Sequence, residues 1–530
     1  MNFAWSSGRH QHAVAVSART ERARGRRDDQ PPPGRSDAER AHGIYPLYFA
    51  ANAAPRLAML VVLIVLTRLL PTIEYGLFAL VVTTGEILEM ASTNWIRIYL
   101  LRTEAGARYL RPRRLGRALA LSAGGTVIGL ATSVLVVPLI SGDRSVEMML
   151  AVAVYIAAFA LLRTTLTLAQ LSRAHTTYTA VECGRALGIA AATIIVAVMH
   201  PHSFLPTSIA LSLVTSGSAA LGLLSVARQL TRPVFPRGGY ALALAFGVPL
   251  VLSSVLSYTV GWFDRFSLNY FLGPATVGVY VAAYSLARQP VELFFGALNN
   301  FTFPLLVSAY ANGGARQAGP VQSGLMTTMT VLGIGIVAGL SLLADPLATL
   351  LFPPSYRAEI AILIPWVATA TFMLSLKQFI FDNALHATQQ NWPHFIIMIP
   401  SAAVSVGLGI LLVRSCGLFG AAINCVAVTL VALVSAAVVS SRTFAFAIPW
   451  RDLSKATAAA LCASAATWSL IHHSAWGVGA LVIVAAAAFC AVYGTLLTVL
   501  GFSLWRLIET PWAPLSADVQ PDRMSSNSAK

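Results

Sequence analysis

Charge is scarce in this chain. Only 11% of its 530 residues are charged, whereas soluble domains carry about 25%, which argues against a water-soluble enzyme. Long polar intervals are missing too: apolar stretches recur from Tyr45 to Leu500, leaving no gap of the ~50 residues that a folded aqueous domain needs. The GxxxxGK[ST] phosphate loop is absent, so no nucleotide site is visible. The five cysteines, Cys183, Cys416, Cys425, Cys462 and Cys490, are an odd number without a CxxC, and no His/Cys cluster has zinc-ligand spacing. Neither redox chemistry nor a structural metal is expected, and no cofactor. The first 30 residues contain no apolar h-region, so a cleaved signal peptide is not expected either.

What is abundant is apolar sequence: 56% of residues are hydrophobic and the mean hydropathy is +0.70. Each apolar stretch holds about 20 residues, enough to cross ~30 Å of hydrocarbon. The expected fold is all-α and polytopic, with about 14 transmembrane helices. They fall near 45–67, 76–99, 117–140, 147–170, 181–199, 205–226, 240–263, 276–298, 323–344, 358–381, 394–413, 418–440, 454–472 and 476–499.

The 36 Lys+Arg outweigh the 21 Asp+Glu, a formal +15. Cytoplasmic segments of membrane proteins accumulate Lys and Arg, and that rule accounts for the excess better than nucleic acid, for which interleaved stacking aromatics are missing. With the N-terminus inside, the cytoplasmic segments hold the tail arginines, Arg102, Arg108, Arg111, Arg113, Arg114, Arg117, Arg173, Arg185, Arg228, Arg232, Arg237, Arg316, Arg442, Arg451, Lys455 and Arg506. The opposite segments hold only single arginines such as Arg68, Arg144, Arg265, Arg357 and Arg414. An even span count with both termini cytoplasmic follows. Residues 1–43 read as a disordered basic cytoplasmic tail, or as the product of a start codon assigned too far upstream. The remaining segments are 44–227 and 228–441, six spans each, 442–500 with two further spans, and a cytoplasmic tail at 501–530.

Two turns look alike. Leu70-Pro71-Thr72-Ile73-Glu74-Tyr75-Gly76-Leu77-Phe78 lies between spans 1 and 2, and Gly273-Pro274-Ala275-Thr276-Val277-Gly278-Val279-Tyr280 between spans 7 and 8. In each a proline opens the turn, a glycine follows four or five residues later, and an aromatic sits two beyond it. Six spans separate the copies, the pattern of a parallel repeat about an axis along the membrane normal.

These stretches also carry a family resemblance. Leu69 through Leu80, Asp264-Arg265-Phe266 with Leu272-Gly273-Pro274, Val277 to Tyr280 and Ala283-Tyr284, Phe303-Pro304-Leu305, Leu351-Phe352 with Tyr356, and Gly417 to Ala422 resemble bacterial polysaccharide exporters. The chain is similar there to lipid-linked oligosaccharide flippases, the O-antigen and exopolysaccharide exporters of the multidrug/oligosaccharidyl-lipid/polysaccharide superfamily, over roughly residues 45–440. The resemblance implies two six-helix lobes around a central cavity, alternating access in the bacterial inner membrane, and a lipid-linked substrate. It implies polysaccharide polymerases and glycosyltransferases as partners. Spans 13 and 14 and the basic tail fall outside that common pattern.

Charges inside the spans mark the candidate site, since each costs at least ~2.5–3.5 kcal/mol at the bilayer centre. Arg56 lies about 12 residues into span 1, or ~18 Å at helical rise. Glu86 and Glu89 sit mid-span 2, three apart on one face, and Arg288 and Glu292 sit at equivalent depth in span 8, four apart. Aligned on Gly76 and Gly278, Glu86 and Arg288 each follow their glycine by ten residues. The expectation is a cavity lined by spans 1, 2, 7 and 8, with Arg56 and Arg288 attracting phosphates and Glu86, Glu89 and Glu292 poising them or carrying protons. The competing reading makes Arg288 and Glu292 a self-satisfied pair. Secondary candidates, deeper toward the cytoplasm, are Arg97, Arg163, Lys377 and Asp382, for which the competing reading is snorkelling to the inner interface, and Asp264 and Arg265, expected to order the outer turn. Pro55, Pro249, Pro290 and Pro365 interrupt helices as kinks or hinges. Gly335 and Gly339 have helix-packing spacing.

Three functions compete. A flippase for an isoprenoid-pyrophosphate-linked oligosaccharide needs a positively lined cavity and, lacking a nucleotide site, an ion gradient. A multidrug/cation antiporter of the same superfamily would use Glu86 and Glu89, but Arg56 and Arg288 would repel its cations. A membrane glycosyltransferase, polymerase or ligase needs large outer loops or acidic pairs, and only Asp143 and Glu147 lie near the third turn. The flippase reading is preferred.

Overall fold

The computed structural model describes residues 55–502, apart from 105–111, 142–143, 229, 231, 236–237, 239, 389–391, 443–447 and 475. The tails 1–43 and 503–530 and the start of the first expected span lie outside the described residues. Among the described residues every regular element is a helix. Helix α1 covers 55–69 and stops before Pro71, which has no N–H to extend it. Helix α2 (Thr72–Glu89) passes through a π-turn (Met90–Asn94) into α3 (Trp95–Glu104). Then come α4 (Pro112–Val136), α5 (Ser145–Leu171), α6 (His175–Met199), α7 (Phe204–Ala227) and α8 (Tyr240–Leu272). The second half holds α9 (Pro274–Leu342), the short α10 (Ala344–Leu351), α11 (Pro354–Leu376), a π-turn (Lys377–Asp382) into α12 (Asn383–Ala387), α13 (Trp392–Ser441), α14 (Trp450–His473) and α15 (Val478–Val499).

Ten stretches are long and apolar enough to cross a membrane. Two of them are interrupted within: α9 breaks at Gly313–Gly314, where Gly314 has φ 60°, and α13 at Gly417, φ 61°. Left-handed backbone of this kind favours glycine. Split at these breaks, and with α1 and α14 added, which are not among those ten, the helical stretches number fourteen. Large apolar side chains cover the outside; Leu139 is 82% exposed, Leu135 73% and Leu221 71%. Such a surface is stable only against lipid.

Two expectations need correction. Span 7 does not end at 263, because α8 runs on to Leu272, so Asp264 and Arg265 lie two turns inside the helix rather than at its mouth. The connection expected at 299–322 is helical up to Gly313 and again beyond Gly314. Hydropathy falls there and Pro304 removes one ladder hydrogen bond, but the backbone stays helical until the glycine pair.

The two similar turns meet each other. A Cβ on Gly76 would lie 1.8 Å from the Pro274 carbonyl oxygen, and one on Gly278 would lie 2.9 Å from that of Thr72. The backbones of α2 and α9 therefore touch where the repeat places its glycines. Around this contact Tyr75 meets Tyr356 edge-on at 6.4 Å, and Phe352 stacks on Tyr356. Glu74 is buried; its Oε1 pairs with Arg144 at 2.6 Å and its Oε2 accepts the Phe204 backbone N–H at 2.9 Å, capping α7. Glu74→Ala is expected to lower stability by roughly 1–3 kcal/mol, because that N–H stays buried without an acceptor. Thermal unfolding of the purified variant in detergent checks this.

Arginines at both ends of the helices are tied to backbone carbonyls. Arg114 donates to the Thr103 carbonyl and Arg117 to that of Gly238, while the Val234 N–H bonds Pro112. On the turn side Arg68 and Arg357 are tied to the carbonyls of Leu350, Leu351 and Phe352. The α14–α15 pair packs on the second half of α9: the Tyr493 hydroxyl donates to the Val331 carbonyl at 2.6 Å, and the Tyr493 and Phe489 rings lie over Gly335 and Gly339. That contact gives the small-residue spacing its physical meaning.

Candidate functional site

Beneath the Gly76–Gly278 contact lies a cavity of about 220 Å³. It is lined by α1 (Leu60, Leu63), α2 (Thr83, Glu86), α8 (Trp262, Arg265) and α9 (Tyr284, Arg288, Glu292). Four helices from the two repeats thus converge here. Helical spacing sets which side chains point in: Tyr284, Arg288 and Glu292 follow one another at four-residue intervals on one stripe of α9.

The charges interlock. Arg288 Nε donates to Glu292 Oε1 at 2.6 Å, while Glu292 Oε2 lies 3.5 Å from Arg56 Nη1. One carboxylate therefore faces two guanidinium groups from different repeats. On the other wall Arg265, only 6% exposed, donates to the Thr83 hydroxyl at 3.2 Å and stacks its guanidinium on Trp262 at 5.0 Å and Tyr284 at 5.1 Å. Arg288 sits over the same Tyr284 ring at 5.6 Å. A ring face attracts cations, so Tyr284 holds two guanidinium groups near each other without neutralising either. Two arginines, Arg265 and Arg288, and two carboxylates, Glu86 and Glu292, line the cavity, and Arg56 joins them through its ion pair with Glu292.

Asp264 faces elsewhere. It is 4% exposed and accepts hydrogen bonds from the Tyr280 hydroxyl and the Arg265 backbone N–H. It anchors α8 to α9 beneath the turn and leaves its neighbour Arg265 to face the cavity. Arg265, read from the sequence as a turn residue, is thus a wall residue.

Glu89 departs from the expected cavity set. It is fully buried, accepts the Thr93 hydroxyl and binds Arg163 Nε through both oxygens at 2.6 and 2.8 Å. Three residues turn a helix by about 300°, so Glu86 and Glu89 diverge by ~60°; packing of α2 on α5 turns Glu89 toward α5. Arg163 does not snorkel, because its counter-ion lies within the protein. Arg97 shares with Arg163, Thr93, Ser122 and Thr167 a small separate crevice. Lys377 and Asp382 also pair inside, Nζ to Oδ2 at 2.6 Å, rather than reaching the interface. Trp262, Thr83 and Tyr284 were not among the expected site residues; Tyr284 carried a signal, lying four residues before Arg288.

Residues 65–361 match a family model described as polysaccharide biosynthesis protein. In fold the chain is similar to the lipid II flippase MurJ in an inward closed conformation, with a TM-score of 0.70 at 10% identity, over 86% of this chain and 98% of that one. It is also similar to a MOP superfamily transporter from Pyrococcus furiosus, with a TM-score of 0.50 at 13% identity, over 75% and 94% of the two chains. No curated protein matches by sequence.

Proposed function

The chain belongs to the polysaccharide biosynthesis protein family, and from that premise we propose that it translocates an isoprenoid-diphosphate-linked oligosaccharide across the bacterial inner membrane by alternating access. The observation that carries this reading is Glu292 held between Arg288 and Arg56. A carboxylate occupies the place a phosphate group would take, and guanidinium groups bind either through the same forked donors. An arriving diphosphate displaces Glu292 and engages Arg288, Arg56 and Arg265 from three helices at once.

Residues 44–227 and 228–441 act as the two rocking lobes, with the Gly76–Gly278 contact as the closure on the side facing away from the cytoplasm. The basic face around Arg102, Arg114 and Arg117 is the cytoplasmic side, in keeping with the positive-inside rule. An ion gradient drives uphill transport. Polymerase and glycosyltransferases that make and consume the lipid-linked unit are the partners. Three arginines around one cavity disfavour a cationic drug as cargo.

The test is a deletion strain without a redundant exporter, complemented by variants. Completed lipid-linked units are expected to accumulate on the cytoplasmic leaflet, with export restored by wild type and reduced at least about tenfold by Arg288→Ala or Arg56→Ala, the loss of one charge-assisted contact of ~1.5–3 kcal/mol. Normal export by Arg288→Ala at wild-type abundance overturns the role of that residue.

A further inference from the structure

A second cavity, about 750 Å³, opens on the basic side. Its walls bring together Arg102 from α3, Lys377 and Asp382 from the second π-turn, His386 from α12 and His394 from α13. Among its described lining residues α8 and α9 contribute no titratable group, only neutral side chains such as Ser253, Ser257 and Asn299. The wider helical turn explains the first pairing. In a regular α-helix residues five apart point about 140° away from each other, whereas the π-turn brings Lys377 and Asp382 to the same side.

The cluster is left incomplete. Lys377 satisfies Asp382 Oδ2, but Asp382 Oδ1 is shielded from solvent and has no hydrogen-bond partner; His394 Nδ1 stands 3.8 Å away. His394 Nε2 is also shielded and unpartnered. The His386 and His394 rings lie 4.8 Å apart at centroid, tilted by 30°. Two imidazolium cations at that spacing repel strongly, so the pair accommodates one proton. That proton on His394 converts a 3.8 Å gap into an ion pair with Asp382. Asp382 is then shared between two cations, and the Lys377 ammonium is released in part toward the cavity. With the histidines neutral, Arg102 adds one cation to the balanced Lys377–Asp382 pair among the described lining residues; with one proton added the excess is two.

We propose that Lys377, Asp382, His386 and His394 form a proton-linked anion site, in which the histidine pair takes up one proton as the cavity takes up the diphosphate of an arriving lipid-linked head group. This rests on the substrate class proposed above and adds an entrance subsite distinct from the Arg56–Arg288–Glu292 cavity. Imidazole is the side chain that ordinarily titrates near neutral pH. Linkage makes the effect reciprocal: if the anion favours the proton by a factor, the proton favours the anion by the same factor.

The test uses the full chain in detergent or nanodiscs and a short-chain isoprenoid diphosphate linked to N-acetylglucosamine, whose diester phosphates keep a fixed charge between pH 5.5 and 8. Titration calorimetry in two buffers of different ionisation enthalpy counts the protons exchanged. Wild type is expected to take up close to one proton per probe bound, and to bind about a hundredfold more weakly at pH 8 than at pH 6, as one linked proton over two pH units requires. His394→Gln is expected to bind with no proton uptake and a flat pH profile, and Arg288→Ala to keep the proton uptake. Wild-type binding without proton exchange, or an unchanged pH slope in the His386→Gln/His394→Gln double variant, overturns the inference while leaving the flippase reading intact. Absence of probe binding at every pH overturns the substrate class on which both rest.

Discussion

Gly76→Ala is expected to abolish export while the protein still reaches the membrane. The added carbon would lie 1.8 Å from the Pro274 carbonyl oxygen, and neither partner is a flexible side chain. The backbones of α2 and α9 must separate by more than ~1 Å, and overpacking of this kind costs about 1–3 kcal/mol. The strain falls on the state in which the two turns touch, so that state is depopulated by roughly ten- to a hundredfold, at 1.4 kcal/mol per factor of ten. Gly278→Ala is expected to act in the same direction but more weakly, its Cβ meeting the Thr72 carbonyl at 2.9 Å. Labelling reads this directly. In a chain whose five native cysteines are replaced, a cysteine at Ser285 on the cavity wall should react with an impermeant thiol reagent from the turn side in the Gly76→Ala background, and hardly at all otherwise. Equal reactivity in both backgrounds would show that the glycine contact is not the closure.

Glu89→Ala is expected to be the most damaging change to stability. It strands the Arg163 guanidinium in a place where Glu89 is fully buried and takes two of its hydrogen bonds. Removing one partner of a buried pair costs about 3–5 kcal/mol, a large part of what holds a typical protein folded. Membrane abundance and the unfolding midpoint should both drop. Replacing both partners, Glu89→Ala with Arg163→Met, should recover most of the loss, since no uncompensated charge then remains. A double variant as unstable as the sum of the singles would mean that the two side chains act independently. Glu89 is thus expected to affect abundance first, whereas Arg288 and Arg56 are expected to affect export at normal abundance.

The spans were legible because hydrocarbon thickness imposes one length on them, and a chain with few charges shows where each begins. The likeness of the two turns was legible from Pro71, Gly76, Pro274 and Gly278, though not that they touch, and the same register placed Glu86 and Arg288, which line one cavity. What the pattern did not carry was the azimuth of each helix. Whether Glu89 faces the cavity or α5 depends on which neighbour packs against α2, a fact held by Arg163 some 74 residues away. Depth was misread at Asp264 and Arg265 because a charged pair ends a hydropathy window without ending a helix. The π-turns at Met90–Asn94 and Lys377–Asp382 leave no compositional mark, so the pairing of Lys377 with Asp382 is visible only in three dimensions.

The cavity also explains why acids accompany its arginines. Cations gathered at membrane depth without counter-charges would destabilise the empty protein, and Glu292, paired with Arg56 and Arg288, supplies that balance; in the proposed cycle an arriving anion takes its place. Glu292→Gln is accordingly expected to tighten binding of a diphosphate while slowing its release, so that turnover falls although affinity rises.

The central claim is that this chain moves a lipid-linked diphosphate head group through the Arg56–Arg265–Arg288 cavity. Transbilayer movement of a fluorescent isoprenoid diphosphate-linked sugar in liposomes holding the purified protein tests it most directly. The account predicts movement well above that of empty liposomes, lost in Arg288→Ala and Arg56→Ala proteins that are folded and inserted to the same extent. Movement at the empty-liposome rate with wild type, or at the wild-type rate with both arginine variants, would contradict it.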